Sequence, residues 1–281
     1  KWSSGLERLT MSYLSSRRSG SQDWIWFHEK DKQVTHEEVG AGLDIDWSRP
    51  CIGLLTNVMW DAQLHYRGNA FPDMLAWLEH TVRHFAAKPD LQLIVRIHPA
   101  EISGLVPSRQ RVADELKLRF PELPPNVVVV PPEHPASTYA LMEKCDSVLI
   151  FNTKTGIELA CLGIPVIVAG EAWIRGKGFS IDAASAEEYE GVLGRLPLGR
   201  RLSEPQVELA KRYAFHFFFR RMLELPFIRS PSRFVFSIEI ESILELGVGR
   251  HPGLDVVCNG ILRGDPFVDR YESRAASTLA V

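Results

Sequence analysis

Between residues 51 and 168 the chain repeats one pattern: a short, predominantly apolar run, a polar break, then a stretch of helical period. The apolar runs are residues 51–55, 91–97, 127–130, 147–151 and 165–168. Residues 71–87, 110–118, 137–144 and 156–162 read as helices, the first with Leu75, Leu78, Val82 and Phe85 on one stripe and the third capped by Ser137. A strand with no polar face is buried on both sides, as a parallel sheet between two helix layers requires. The pattern therefore predicts an α/β domain with a doubly wound, Rossmann-like sheet and extra flanking helices.

Three segments follow from the change of texture along the chain. Residues 1–50 form a polar helical or linker segment, with Leu6, Leu9, Tyr13 and Leu14 at helical spacing. Trp24, Trp26 and Phe27 suggest a brief extended piece within it. Residues 51–200 form the α/β domain. Residues 201–281 supply helices at 203–225 and 237–246, and a tail from 273 to 281 that is small and polar enough to fray.

Composition removes several classes of function. Of the 281 residues, 45% are hydrophobic and 24% charged, which excludes fibrous and disordered chains. A net charge of −3 gives no basic field for nucleic acid, so none is expected as a partner. The four cysteines lack C-x-x-C spacing, and all but Cys258 lie in or beside apolar stretches, as buried thiols in a reducing compartment do. No run is apolar enough to span a membrane; the smoothest, 155–170, is broken by Glu158. The chain opens Lys1-Trp2 with no signal-peptide pattern, so a removed upstream segment and a cytoplasmic setting are expected. The aromatic run 215–219 beside Arg220 and Arg221 fits either a core helix or a peripheral contact with the inner membrane. His80 and His84 stand four apart without a third ligand, and no D-x-D element is present, so neither a metal nor another cofactor is expected.

In a doubly wound sheet, ligands bind beyond the carboxyl ends of the strands. Four polar segments meet that edge: Thr56-Asn57, His98-Pro99, residues 134–139, and Asn152-Thr153-Lys154-Thr155-Gly156. The last puts two hydroxyls and a glycine at a helix start, suited to a phosphate. The same threonines equally fit a helix cap. Glu158, in an otherwise small and apolar helix, fits a ribose diol or a capping-box partnership with Thr155. His98 ends a buried strand, flanked by Arg96 and Glu101, where an imidazole can donate to a phosphate. His134-Pro135 repeats the dipeptide in a proline-rich loop and reads as a loop element. Trp173, Arg175 and Lys177 follow the fifth strand, placed to reach a sugar or pyrophosphate.

These residues resemble a known group. Glu158-Leu-Ala-Cys-Leu-Gly163-Ile-Pro165-Val-Ile is similar to the E-x-x-x-x-G-x-P-V motif in the nucleotide-binding half of GT-B glycosyltransferases. Arg96-Ile-His98-Pro99-Ala-Glu101 and Gly176-Lys-Gly178-Phe-Ser180-Ile-Asp182 look like bacterial capsular polysaccharide biosynthesis proteins. That group is related in pattern to CDP-glycerol glycerophosphotransferases and to sialyl- and Kdo-transferases. The resemblance, over about residues 51–185, implies His98, Thr153, Thr155 and Gly156 at a donor phosphate, Glu158 at the ribose, and Ser137 and Thr138 near base or ribose. It implies a CMP-, CDP- or UDP-linked sugar donor and a polysaccharide or lipid-linked acceptor. Asn57, Arg96, Asn152, Arg175 and Lys177 join the binding set, with His98 and Asp61 as catalytic candidates and His65 beside Asp61. A GT-B enzyme has two such domains and residues 1–50 are too few for the other, so a missing N-terminal half or a partner chain is expected. Rival readings are a sugar-nucleotide epimerase of the same architecture and a binding or assembly module without turnover.

Overall fold

The computed structural model describes residues 2–18, 42–61, 66–103, 108–232 and 235–269. The readings at Trp24, Trp26, Phe27, His65 and residues 273–281 lie outside them. The chain divides into two compact units: one holds the main sheet and runs through residue 210, and the other gathers the first residues of the chain with those from 211 onward.

The sheet unit begins with the end of α1 (Ser4–Arg18) and continues through β1 (Cys51–Leu55), α2 (Met74–Ala86), β2 (Gln92–Arg96), α3 (Ala100–Ser103), α4 (Val112–Arg119) and β3 (Val127–Val130). It goes on through α5 (Thr138–Glu143), β4 (Ser147–Ile150), α6 (Thr155–Cys161), β5 (Val166–Val168), β6 (Ile181–Asp182) and α7 (Ala186–Leu193). The six strands are parallel in the order β3-β2-β1-β4-β5-β6. That is the order of the dinucleotide-binding doubly wound fold, with its switch point between β1 and β4.

Alternation along each strand sets two faces. Ile52, Leu54, Leu93, Val95, Leu149 and Ile167 pack with Trp77, Leu78, Val82 and Phe85 of α2, Leu116 of α4 and Tyr189 of α7. On the other face Gly53 leaves room for α5: a Cβ there would stand 2.3 Å from Met142 Sδ. Gly156 likewise lets α6 close on β4, its Cβ position being 2.7 Å from Ile150 Cδ1. The helix starts are capped locally, with Asp73 accepting from Ala76 N–H at 2.7 Å and Ser185 from Glu188 N–H at 3.2 Å.

α8 (Glu204–Phe215) is shorter than the expected 203–225: it widens into a π-type turn, His216–Arg220. The aromatic run turns inward in the second unit, with Phe217 and Phe218 buried and Tyr13 5.4 Å from Phe218. The helix expected at 237–246 is not there. Its first residues belong to β8 (Val235–Ile238), antiparallel to β7 (Ile228–Ser232), and only Ile243–Leu246 forms a single 3₁₀ turn. Ser242 starts that turn with a reciprocal capping box to Glu245, while the alternating, β-branched stretch before it suits a strand. α9 (Pro252–Arg263) follows, opened by its proline and closed by Gly264 at φ 74°. No described helix is long and apolar enough to cross a membrane. Cys51, Cys145 and Cys161 are buried, and Cys258 is exposed.

Candidate functional site

The carboxyl edge is built from the four strand exits. After β1, Thr56 Oγ1 accepts from His98 N–H at 3.1 Å, joining this exit to that of β2. Asn57 spans the switch point: its Nδ2 donates to Asn152 O at 2.7 Å, and its Oδ1 accepts from Asn152 N–H at 3.2 Å. The same amide reaches Asp61 Oδ2 at 3.4 Å, which places Asp61 beside the junction. Asn57 therefore serves both the β1 and the β4 exits.

After β2, His98 Nδ1 accepts from Ala100 N–H at 3.0 Å. This acceptor role fixes the neutral ring as the Nε2–H tautomer, a donor on its other side. His134 repeats the arrangement after β3, its Nδ1 accepting from Ala136 N–H at 3.1 Å. Both His-Pro-Ala triplets thus fold into the same turn. Glu101 is drawn away from the edge: its Oε1 accepts from Val112 N–H at 3.0 Å and caps α4. Burial raises the Glu101 carboxyl above its ordinary pKa, against the lowering effect of that bond.

Arg96 is buried beneath the β3 exit. Its guanidinium donates to Pro131 O, to His134 O at 3.2 Å and to Thr138 Oγ1 at 3.3 Å. Desolvation pushes its pKa down to about 10, opposed by the Glu133 charge. Its place is under the loop that leads to Ser137 and Thr138, which it holds through two backbone carbonyls and the Thr138 hydroxyl. Ser137 Oγ accepts from Ala140 N–H at the start of α5.

After β4, Thr153 Oγ1 accepts from Thr155 N–H at 3.4 Å and lies 3.3 Å from Thr155 Oγ1. The N-cap position falls on Lys154, whose side chain does not cap the helix. Glu158 makes no capping box: Arg17 Nε donates to its Oε1 at 3.3 Å and the Tyr139 hydroxyl to its Oε2 at 2.7 Å. The carboxylate is only 2% exposed. Burial and the Glu158 charge drive the Tyr139 pKa well above its usual value, so this phenol stays protonated and donates. Tyr139 and Arg17 were not legible as partners, because each comes from a separate element.

After β5, Arg175 turns back onto the sheet, donating to Gly170 O at 2.8 Å and Ala183 O at 2.7 Å. Lys177 is exposed on the same loop. Asn57, Asp61 and Asn152 are thus joined at the switch point, Thr56 ties the His98 backbone to the β1 exit beside them, and Thr153 and Thr155 are paired on the β4 exit. Arg96 and Arg175 brace loops, and Glu158 lies behind them in an ion pair. Among the described residues no cluster of His, Cys, Asp and Glu could hold a metal ion.

A six-stranded parallel sheet in this order, covered by helices, defines a doubly wound α/β protein of Rossmann-like fold. The chain belongs to the capsule polysaccharide biosynthesis protein family, whose model matches residues 36–193. No curated protein matches it. Among solved structures it is similar to the Thermosulfurimonas dismutans KpsC beta Kdo 2,4 transferase, at 18% identity and a TM-score of 0.47, covering 75% of this chain and 56% of that one. The beta Kdo 2,7 transferase of the same KpsC is similar at 17% identity and a TM-score of 0.40, over 75% of this chain and 53% of that one. A UDP-N-acetylglucosamine 2-epimerase is similar at 13% identity and a TM-score of 0.36, over 66% and 42%. The chain therefore spans about half the length of the solved structures it matches.

Proposed function

We propose that the chain is the donor-nucleotide half of a metal-independent glycosyltransferase that extends a bacterial capsular polysaccharide in the cytoplasm. The observation that carries this reading is His98, held at the β2 exit beside the switch point by Thr56, with Nδ1 accepting from Ala100 N–H so that the donating nitrogen of the neutral ring is Nε2. Family membership supplies the context.

The donor is a CMP-, CDP- or UDP-linked sugar and the acceptor a polysaccharide or lipid-linked glycan. As the bond from the anomeric carbon to the donor phosphate breaks, the phosphate gains negative charge. Donors already in place cost no reorganisation at that moment. His98, the hydroxyls of Thr153 and Thr155, and the backbone at Gly156 meet the phosphate, with Lys177 adding charge from its loop. Asn57 and Asn152 hold the two exits at the right spacing. Ser137 and Thr138 face base and ribose on a loop braced by Arg96, while Arg175 braces the loop of Lys177. Asp61 takes the proton of the acceptor hydroxyl. Glu158, which receives Arg17 and Tyr139, turns to a ribose hydroxyl once Arg17 yields access. The second GT-B half is supplied by further chain or by a partner.

Thermal unfolding with CMP, CDP, UDP and GDP tests the reading. A nucleotide at a hundredfold excess over its Kd stabilises the native state by about 2.7 kcal/mol. Stabilisation by one nucleotide, lost in His98→Ala and Thr155→Ala, is the expected result. A shift that survives both substitutions removes the site, and a new sugar nucleotide formed without acceptor makes the protein an epimerase.

A further inference from the structure

The β1 and β5 exits carry more than the polar groups at the switch point. Among the described residues of the sheet unit, the exposed large aromatics are Trp60 at 57%, Tyr66 at 47% and Trp173 at 53%. All three stand on these two exits. A tryptophan is normally well covered, so leaving two of them this open on neighbouring loops is a feature to be explained.

The two loops meet and share a surface at residues 68–70 and 169–171. Ala70 N–H donates to Ala169 O at 2.7 Å, and Glu171 N–H donates to Asn69 Oδ1 at 2.9 Å. They approach so closely that a Cβ on Gly68 would stand 1.9 Å from Glu171 Oε2. Trp60 is oriented rather than loose, since its indole N–H donates to the buried Ser108 Oγ at 3.2 Å. β1 and β5 are the two neighbours of β4, so this surface flanks the exit that carries Thr153 and Thr155.

The mixture of groups selects the occupant. The described parts of the two loops expose aromatic rings but no large aliphatic side chain; Ile174 is buried. A lipid surface or a protein interface would draw on aliphatic side chains as well. Arg67, Glu171 and Lys177, all polar, are exposed on the same two loops. A flat ring with a negative π face, surrounded by hydrogen-bonding groups, matches a pyranose: its axial C–H bonds present a weakly positive apolar face and its hydroxyls point outward.

We propose that Trp60, Tyr66 and Trp173 form a saccharide-binding platform that stacks pyranose rings beside the reaction edge. The proposal rests on the glycosyltransferase reading and adds where the sugar is held. The ring bound belongs either to the acceptor glycan or to the sugar of the donor.

The test combines affinity electrophoresis in gels containing dextran or hyaluronan with thermal shifts by UDP and by UDP-glucose. The intact chain is compared with Trp60→Ala, Trp173→Ala and Trp173→Phe, each checked for fold by circular dichroism. An acceptor platform predicts retardation by at least one glycan, weakened at least fivefold in both alanine variants and largely kept in Trp173→Phe. A donor-sugar platform predicts that UDP-glucose stabilises more than UDP, and that the alanine variants lose only this excess. Glycan retardation with no nucleotide shift would keep the platform and overturn the donor reading. A nucleotide shift with neither glycan retardation nor a sugar-dependent excess would overturn the platform and leave the donor reading standing. Binding unchanged in both alanine variants would also overturn it.

Discussion

Glu158 shows how one buried side chain can tie three elements together. It sits in α6, receives Arg17 from the end of α1 and Tyr139 from α5, and has almost no contact with water. Removing one member of a buried ion pair leaves the other charge stranded, at a cost of about 3–5 kcal/mol. Glu158→Gln is therefore expected to lower stability to urea by about 3 kcal/mol, and pairing it with Arg17→Met should recover part of the loss. Glu101 makes the opposite kind of prediction. Its carboxyl is raised by burial, so the folded chain keeps a proton over a pH window in which the unfolded chain has released it. Stability then falls as pH rises from the unfolded value, about 4.3, through the raised native one. Glu101→Gln keeps an acceptor for Val112 N–H but has no proton to lose. Its melting temperature should gain on the parent's between pH 4 and 7.5, and a constant difference across that range would contradict the argument. Side-chain direction is what the sequence could not supply at this scale. His98, Asn57 and Asn152 were legible because each ends a buried strand. Arg96 and Arg175 occupy equally suggestive positions, yet both turn back to backbone carbonyls.

Elements buried on both faces were the readable ones. β1 to β5 announce themselves as predominantly apolar runs, and their boundaries differ from expectation by at most a residue at either end. The hairpin of β7 and β8 lacks that signal, because β8 is exposed along its whole length and burial leaves no mark on its sequence. β6, only two residues long, is likewise too short to show. Close approach between elements gives a sharper test than periodicity. Gly170 lies where the β5 exit passes the β4 exit, and a Cβ there would be 2.4 Å from the Phe151 carbonyl oxygen. Backbone cannot swing aside as a side-chain tip can. Gly170→Ala should cost about 1–3 kcal/mol, measured by chemical denaturation. The helix cap at Ser185 is a milder case, with Ser185→Ala expected to cost about 1 kcal/mol.

On the scale of the whole molecule, protection should follow the sheet. Amides of β1 and β4, central and buried, should exchange with deuterium slowest, and those of the exposed β7–β8 hairpin fastest. Similar rates in the two would mean that the sheet unit opens far more readily than its packing implies. The strand order also bears on how the protein is made. β1 has β2 on one side and β4 on the other, and the Asn57–Asn152 bridge between β1 and β4 joins residues 95 positions apart. A ribosome adds about 5–20 residues per second. The apolar Cys51–Leu55 segment therefore waits on the order of 5–20 s for its second neighbour to be synthesised. During that interval it is a sticky edge on a nascent chain, and a natural station for a chaperone.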